Sequence, residues 1–448
     1  MPNREFQNIE PAQPEADKPE MIQDIESGSG REIEGLESKL VSFSVLEKGR
    51  DYDITESNER VHSEHQPEEY FVFINPKKGT EQKMVNAPHW RTISSEAKTT
   101  VDVRYNNGTE LVNRSEPFYV VNTKGVGYLK DILKDMDFDE RNTWIKKTSW
   151  GEFFGPEGNI RLLGLAASLE FDDIIQKSQF LLENGLRTEA YWAIGNLHNV
   201  YYKGELTSIQ ELRDENVIIK RKDNKPAEAL RLLKTNNRIE EAMLALPERR
   251  MEIFRNAFDV YNQEKADKGS TDQPLSIEEK YDQRKFFADF FERMGSNMAV
   301  ILNLGYYFGG LHSSNISMAA EVADIGPADH WSLEKDNLFV CKDYNGVRRG
   351  HLKDMRDIAH SLRRLVRAAR GLDLHTGSPE SLVKSFMDGF DQRLTSKKIK
   401  EIQKNDPEAM RKWMLAIINR LVVEKKRLPG LLHDDELNVI ENDWGIEI

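Results

Sequence analysis

The sequence predicts an α+β protein of two lobes, a β-rich first lobe with one main helix and a mostly α-helical second lobe. Three observations lead there. Between residues 70 and 121 the stretches YFVFI, TTVDVRY and PFYVV are rich in β-branched and aromatic residues, and Asn106-Asn107-Gly108 is a strong hairpin signal. The stretch FDDIIQKSQFLLENGLRT has the spacing of a single amphipathic helix within that β-rich region. From residue 281 onward apolar residues recur at three- and four-residue intervals, the mark of helices with one buried face.

Taken in order, residues 1–65 are rich in Glu, Pro, Gln and Ser and poor in aromatics, which predicts an acidic, largely disordered tail. Within it IEGLESKLVSFSVLEKG is the piece able to dock or form a helix, and the tail serves either to solubilise the chain or to bind a partner. Residues 66–205 form the β-rich lobe. Its helix buries Ile174, Ile175, Phe180, Leu181 and Leu182 and is stopped by Asn184-Gly185, and AYWAIGNLHNVYY follows as a strand pair. Residues 206–280 read as a polar, helical connecting insert with a loose KADKGSTDQP stretch. The helical lobe, 281–448, opens on Phe286, Phe287, Phe290, Phe291, Met294 and Met298 along one face. Leu352, Met355, Ile358, Leu362 and Leu365 mark a second helix, and PEAMRKWMLAIINRLVVEKK a third, with Pro407 suited to its first turn.

Composition excludes several classes. The net charge of −13 over 448 residues is concentrated at the start: residues 1–70 carry eighteen acidic against seven basic side chains, a balance of −11. The remainder is almost neutral, which argues against a nucleic-acid binder. A single cysteine, Cys341 in NLFVCKD, forms no internal disulfide and fits a buried strand position in a reducing compartment. Neither a signal-peptide core nor a membrane-spanning apolar run is legible, so the expected location is cytoplasmic and no membrane partner is expected.

In the second lobe GGLHSSNISMAAEVADIGP places Asn315 and Asp324 on either side of a short apolar run. This order of strands, one helix, more strands and then helices resembles the protein-kinase fold. Within that superfamily the chain is most similar to the selenoprotein O family, whose members look kinase-like but transfer AMP. NTKGVG at 122–127 is similar to that family's Lys-Gly-x-Gly at the end of the lysine-bearing strand. SQFLLENGLRT at 178–188 sits where the family has Ser-Glu, a short helical run and Gly-Ile-Pro-Thr. NISMAAEVADIGP at 315–327 looks like the family's Asn-Met-Ser, six residues, then Asp-x-Gly-Pro.

The resemblance implies ATP with Mg²⁺ (or Mn²⁺) as cofactors and a protein as substrate or partner. Asn315 and Asp324 would hold the metal through their oxygens, and Asp324 would be the one carboxylate at the reacting centre. Lys124 would reach the phosphates, Gly125 and Gly127 would let the backbone turn tightly behind it, and Gln179 would face the lysine from the helix. Each residue also has a plainer reading. Asp324-Ile325-Gly326 fits an ordinary turn at a strand end and Asn315 a turn cap. Lys124 fits a solvated strand-end lysine, with Lys130 as the alternative phosphate ligand. His312 fits a packing or hydrogen-bonding residue of the loop.

Three features depart from the kinase pattern. The loop reads Phe308-Gly309-Gly310-Leu311-His312-Ser313-Ser314-Asn315, so Gly310 stands where small-molecule kinases have the Asp that accepts a proton. Ser314 stands where the selenoprotein O family keeps its Asp. The helix offers neutral Gln179 in place of the Glu that pairs with the strand lysine, with Glu183, Asp172 or Gln176 as substitutes. No Gly-rich phosphate loop is present, and SSEAKTT at 94–100 is expected in its place between the first strands. The alternative to a transferase is therefore a catalytically inactive pseudokinase that serves as a scaffold or regulator, or an atypical phosphotransferase.

Overall fold

Tyr52 is wholly buried and starts a strand whose neighbours alternate outward: Asp53, Thr55 and Ser57 face solvent while Ile54 and Glu56 are half-buried. That period of two builds a sheet from a stretch whose composition is acidic. The computed structural model describes residues 38–74, 81–86, 92–106, 111–127, 165–202, 205–215, 225–326, 329–330, 341–342, 348–349 and 351–395, with positions 397, 400, 411, 414 and 415. The expected disordered tail is corrected over its second half. Strands β1 (Ser38–Val45), β2 (Tyr52–Ser57) and β3 (Val61–Ser63) lie within it, and the described residues of IEGLESKLVSFSVLEKG contribute a strand and no helix. Asp53, Glu59 and Glu64 are exposed, and such acidic residues in the composition mask the alternation of the strands they belong to or flank.

The chain continues with β4 (Val72–Ile74), β5 (Glu81–Asn86), β6 (Thr92–Asn106), β7 (Leu111–Lys124) and β8 (Ala166–Ala167). After a 3₁₀ turn at Ser168–Phe171 come α1 (Ile174–Glu183), β9 (Ala190–Leu197), β10 (Asn199–Tyr202), β11 (Glu205–Ser208) and α2 (Ile209–Asp214). Then follow β12 (Pro226–Leu233), α3 (Ile239–Leu244), α4 (Pro247–Asp267) and α5 (Lys280–Leu304). Four two-residue strands, β13 (Tyr306–Tyr307), β14 (Asp329–His330), β15 (Cys341–Lys342) and β16 (Arg348–Arg349), precede α6 (His351–Arg370) and α7 (Pro379–Arg393). No helix among the described residues is long and apolar enough to cross a membrane.

The main sheet is antiparallel in the order β2-β9-β12-β7-β6-β3, with β8 on the flank of β12, and a smaller sheet runs β4-β1-β5. The β6–β7 hairpin is the one signalled by Asn106-Asn107-Gly108, with Asn106 opposite Leu111. SSEAKTT does not lie between strands; it runs inside β6, where the register slips between Glu96 and Thr99. The expected strand pair 190–202 divides, since β9 joins the main sheet and β10 pairs with β11. The insert 206–280 is also corrected: it contains β12, a central strand with all eight residues buried. Its sequence PAEALRLL is rich in helix formers, and its place between β9 and β7 overrides that preference.

β12 divides the core. Ala227 and Ala229 face the helical side, where α1, α4, α5, α6 and α7 pack, while Leu230 and Leu232 face the opposite layer with Tyr52 and Phe71. Glu228 alternates onto that second face, and burial pushes its carboxyl well above the usual range despite the nearby Val72 amide. In α1 the expected apolar face holds except at Phe180, which is 43 % exposed against Tyr306. The α5 face of Phe286, Phe287, Phe290, Phe291, Met294 and Met298 is buried as its spacing predicts, as are Met355, Ile358, Leu362 and Leu365 of α6. Met414 is buried, while Pro407 and residues 1–37 lie outside the described residues. Helices α5 and α7 touch backbone to backbone: a Cβ on Gly295 would fall on the Phe386 carbonyl oxygen, and one on Gly389 on that of Glu292.

A buried ionic cluster joins the sheet to the helices. Glu264 of α4 accepts from Arg187 Nη2 at 2.7 Å, Arg293 Nη1 at 2.8 Å and Lys268 Nζ at 3.0 Å, with Lys234 Nζ 3.5 Å away. Lys234 in turn donates to Glu116 Oε1 at 2.6 Å and the Pro117 carbonyl at 2.7 Å, both at the start of β7's buried part. Burial alone would raise the Glu264 carboxyl, but Arg187, Lys234 and Arg293 hold it well below the usual range.

Candidate functional site

Lys124 ends β7 in the centre of the main sheet and points to the helical side, as does Asn122 two residues earlier. Ala229 of β12 lies opposite Lys124, so no bulky neighbour crowds the ammonium from that strand. Beyond the lysine the backbone turns through Gly125, with φ 102°, and Gly127, with φ 91°. A Cβ at Gly125 would strike the Ala227 carbonyl oxygen, and one at Gly127 would come within 2.6 Å of the Phe73 ring. Both glycines thus serve a tight turn that fixes where Lys124 ends.

Asn315 and Asp324 flank a short hairpin. Ile316 bridges Val322, the Ala323 amide donates to the Asn315 carbonyl at 2.8 Å, and Ala320 turns the tip with φ 60°. The expected loop, hairpin and turn are all present. Asp324 itself has φ 58°, an uncommon conformation for a residue with a Cβ, held by its neighbours: the Ile325 amide donates to buried Glu189 at 3.1 Å and Lys177 Nζ to the Gly326 carbonyl at 3.1 Å.

The fold brings Lys124 and Asp324 together. Lys124 Nζ lies 2.8 Å from Asp324 Oδ1, 200 positions away in the chain. Glu170 Oε2 stands 3.8 Å from the same ammonium, and the Phe171 ring centroid 5.9 Å away. Arg231 Nη1 approaches Asp324 Oδ1 to 4.0 Å and Glu189 to 3.4 Å. Asp324 is 40 % exposed, whereas Lys124 and Arg231 are almost wholly covered. An exposed carboxylate backed by two buried cations is a group from which an incoming ligand can draw the cations away.

Gln179 is not part of this arrangement. Its amide donates to the Asp102 carbonyl at 3.0 Å and to Glu183 at 3.2 Å. The substitutes fail too: Glu183 binds Arg60, Gln176 donates to Glu56 at 2.6 Å, and Asp172 is exposed at the end of the 3₁₀ turn. The carboxylate near the Lys124 ammonium in addition to Asp324 is that of Glu170, one turn before α1 begins. Lys130 lies outside the described residues. Two side chains were invisible to spacing alone. Glu170 and Arg231 each look like surface residues in sequence, and only the pairing of β12 with β7 and β8 turns them inward.

In the preceding loop, Asn315 Nδ2 donates to the Gly310 carbonyl at 2.9 Å, which leaves Oδ1 as the amide atom available to a cation. That oxygen and the Asp324 carboxylate are of the donor type that a hard divalent ion such as Mg²⁺, which keeps several waters, accepts. Asp354 of α6, fully buried, holds the loop by accepting from the Phe308 amide at 2.8 Å and the Gly309 amide at 2.9 Å. His312 Nδ1 is bonded to Ser314 Oγ, in keeping with its reading as a hydrogen-bonding loop residue. No carboxylate of this loop faces the site at Gly310 or Ser314. Comparison of the sequence with models of protein families gives no match, and comparison with curated proteins gives none either.

Proposed function

We propose that the protein is a kinase-like ATP- and Mg²⁺-binding transferase that moves AMP, in the manner of the selenoprotein O family, onto a protein side chain. One observation carries this reading: a strand-end lysine and the aspartate of an Asp-x-Gly turn, remote in sequence, meet at 2.8 Å beside a loop asparagine. Asn315 and Asp324 would hold the divalent ion, which neutralises charge on the phosphates. Lys124 would exchange Asp324 for phosphate oxygens, with Glu170 keeping its ammonium in place. Such transfer rests mostly on positioning and charge neutralisation, so the loop's lack of a carboxylate slows it without forbidding it.

Gly310 and Ser314 favour a second reading, a pseudokinase that binds nucleotide and acts as a scaffold, because a general base is worth about 10²–10⁴-fold in rate. Labelled nucleotide separates the two. The transferase reading expects label from α-³²P-ATP, and none from γ-³²P-ATP, on the protein or a co-incubated lysate protein. Label from the γ-position alone makes it a phosphotransferase. Label from neither, with Mg²⁺-dependent stabilisation by ATP intact, leaves the scaffold. Lys124→Ala should remove most of that stabilisation, and Lys130→Ala should leave it.

A further inference from the structure

Residues Arg187 to Glu189, between α1 and β9, are fastened to the returning arm of the hairpin at Val322. The Val322 amide donates to the Arg187 carbonyl at 2.9 Å, and the Val322 carbonyl accepts from Thr188 Oγ1 at 2.6 Å and the Glu189 amide at 3.2 Å. Asp324 lies two residues further on. Just beyond it the buried Ile325 amide donates to Glu189 Oε1 at 3.1 Å. One short segment thus grips the chain on both sides of Asp324, first with its main chain and then with a carboxylate.

That grip decides a backbone angle. Asp324 has φ 58°, a region that a residue with a Cβ holds only where its surroundings impose it. The peptide group joining Asp324 to Ile325 carries the amide that Glu189 accepts. Without that acceptor the amide would have to turn toward another, because an unpaired buried N–H is costly. Turning it rotates the backbone at Asp324 and carries the carboxylate away from Lys124.

Glu189 is wholly buried, and its two oxygens are divided. Oε1 also accepts from the Tyr191 hydroxyl at 3.1 Å, while Oε2 faces Arg231 Nη1 at 3.4 Å. The same Nη1 stands 4.0 Å from Asp324 Oδ1. A second guanidinium, Arg238, lies near enough to feel the charges of Arg231 and Glu189, with Glu241 and Glu321 acting on it less. Its Nε and Nη1 are buried without a hydrogen-bond partner. Glu189 therefore supplies negative charge to two buried arginines. With that charge gone, Arg231 has Asp324 to turn to, and a guanidinium closed onto Asp324 competes with any cation.

We propose that Glu189 is a positioning residue of this site. It holds the Asp324 backbone in the conformation that presents its carboxylate to solvent, and it holds Arg231 off that carboxylate so that a divalent cation can take it. The proposal rests on the metal–nucleotide reading above and adds to it the residue that prepares the metal ligand.

The test titrates the full-length chain with Mg²⁺ at a fixed ATP concentration and reads the Mg²⁺ midpoint by thermal shift. Glu189→Gln keeps the size of the side chain, removes its charge and turns an amide NH₂ toward Arg231. It should raise the midpoint at least about tenfold, as loss of a group that orients a metal ligand does, whereas Tyr191→Phe should stay within about threefold of the parent. Tyr191→Phe removes a hydrogen bond to the same carboxylate without touching Ile325 or Arg231. A purely structural Glu189 would lower the melting temperature and leave the midpoint alone. A Glu189→Gln midpoint within about threefold of the parent, or a Tyr191→Phe shift as large as that of Glu189→Gln, would overturn the inference and leave the metal–nucleotide reading standing. Hydrogen exchange on the unaltered protein gives a second measurement, independent of how the variants fold. Before any ligand is added, the Ile325 amide should exchange at least about a hundredfold more slowly than an open amide, and exchange at the open rate would overturn the inference as well. If the parent shows no Mg²⁺-dependent response to ATP, the metal–nucleotide reading falls and this inference with it.

Discussion

Glu264 and Asp324 are both carboxylates met by a lysine and an arginine, yet Glu264 is 1 % exposed and Asp324 40 % exposed. Glu264 accepts from Arg187, Arg293 and Lys268 and anchors segments from the sheet and from two helices. Asp324 has Lys124 at bonding distance and Arg231 only at 4.0 Å. The difference separates two uses of the same chemistry. A buried, saturated cluster fixes geometry, because removing any member leaves another charge uncovered. A carboxylate open to water can exchange its partners for a ligand that enters from solvent.

The comparison breaks most visibly at Glu264. Glu264→Ala should lose about 3–5 kcal/mol of unfolding free energy in denaturant titration, since Arg187 and Lys234 are left buried without it. The pH dependence has a definite sign. Because the folded carboxyl titrates well below the usual range, its contribution is present above the ordinary carboxylate pKa and is lost as pH falls toward the lowered value. A loss below about 1 kcal/mol would mean that the cluster relaxes as the open site does.

Asp324→Ala should do the reverse. Its stability should change by no more than about 1 kcal/mol, as for a half-exposed ion pair. The stabilisation by Mg²⁺-ATP, about 2.7 kcal/mol at a hundredfold excess over the dissociation constant, should vanish. If the variant unfolds and the parent gains nothing from Mg²⁺-ATP, Asp324 is a structural residue like Glu264.

Glu228 sharpens the contrast from a third side, as a buried carboxyl with no cation paired to it among the described residues. Its folded pKa is raised, so its stabilising state is full below the ordinary pKa and is lost as pH rises toward the raised value. Glu228→Gln should match the parent near pH 4 and gain on it at higher pH, by at most about 1.4 kcal/mol per pH unit across that window. Equal pH profiles for the two proteins would show that burial does not govern this group. The smallest effect belongs to the exposed pair His62 and Asp102, 2.9 Å apart, where Asp102→Ala should change stability by less than about 0.5 kcal/mol.

Much of the scaffold was legible because it depends on local pattern. The β6–β7 hairpin follows from its Asn-Gly turn, α1 from its apolar spacing and the Asn184-Gly185 stop, and α5 and α6 from their buried stripes. Lys124 and Asp324 were legible as candidates, and their meeting is a property of the fold. What sequence could not give depends on partners far along the chain. β1 to β3 hide under an acidic composition. β12 looks helical until β9 and β7 enclose it. Alignment along α1 points to Gln179, whereas the lysine's carboxylate neighbour comes from Glu170, in a 3₁₀ turn that no periodicity marks.

The crossing of α5 and α7 restricts which sequences can take this shape. At Gly295 the obstacle to any side chain is the Phe386 carbonyl, and at Gly389 it is the Glu292 carbonyl, both of them main chain. No change of a neighbouring side chain can make room, so an alanine at one position finds no compensating substitution at the other. Two glycines so placed, each inside a helix where glycine is otherwise disfavoured, form a signature by which a distant relative could be recognised after every residue around Lys124 and Asp324 had diverged.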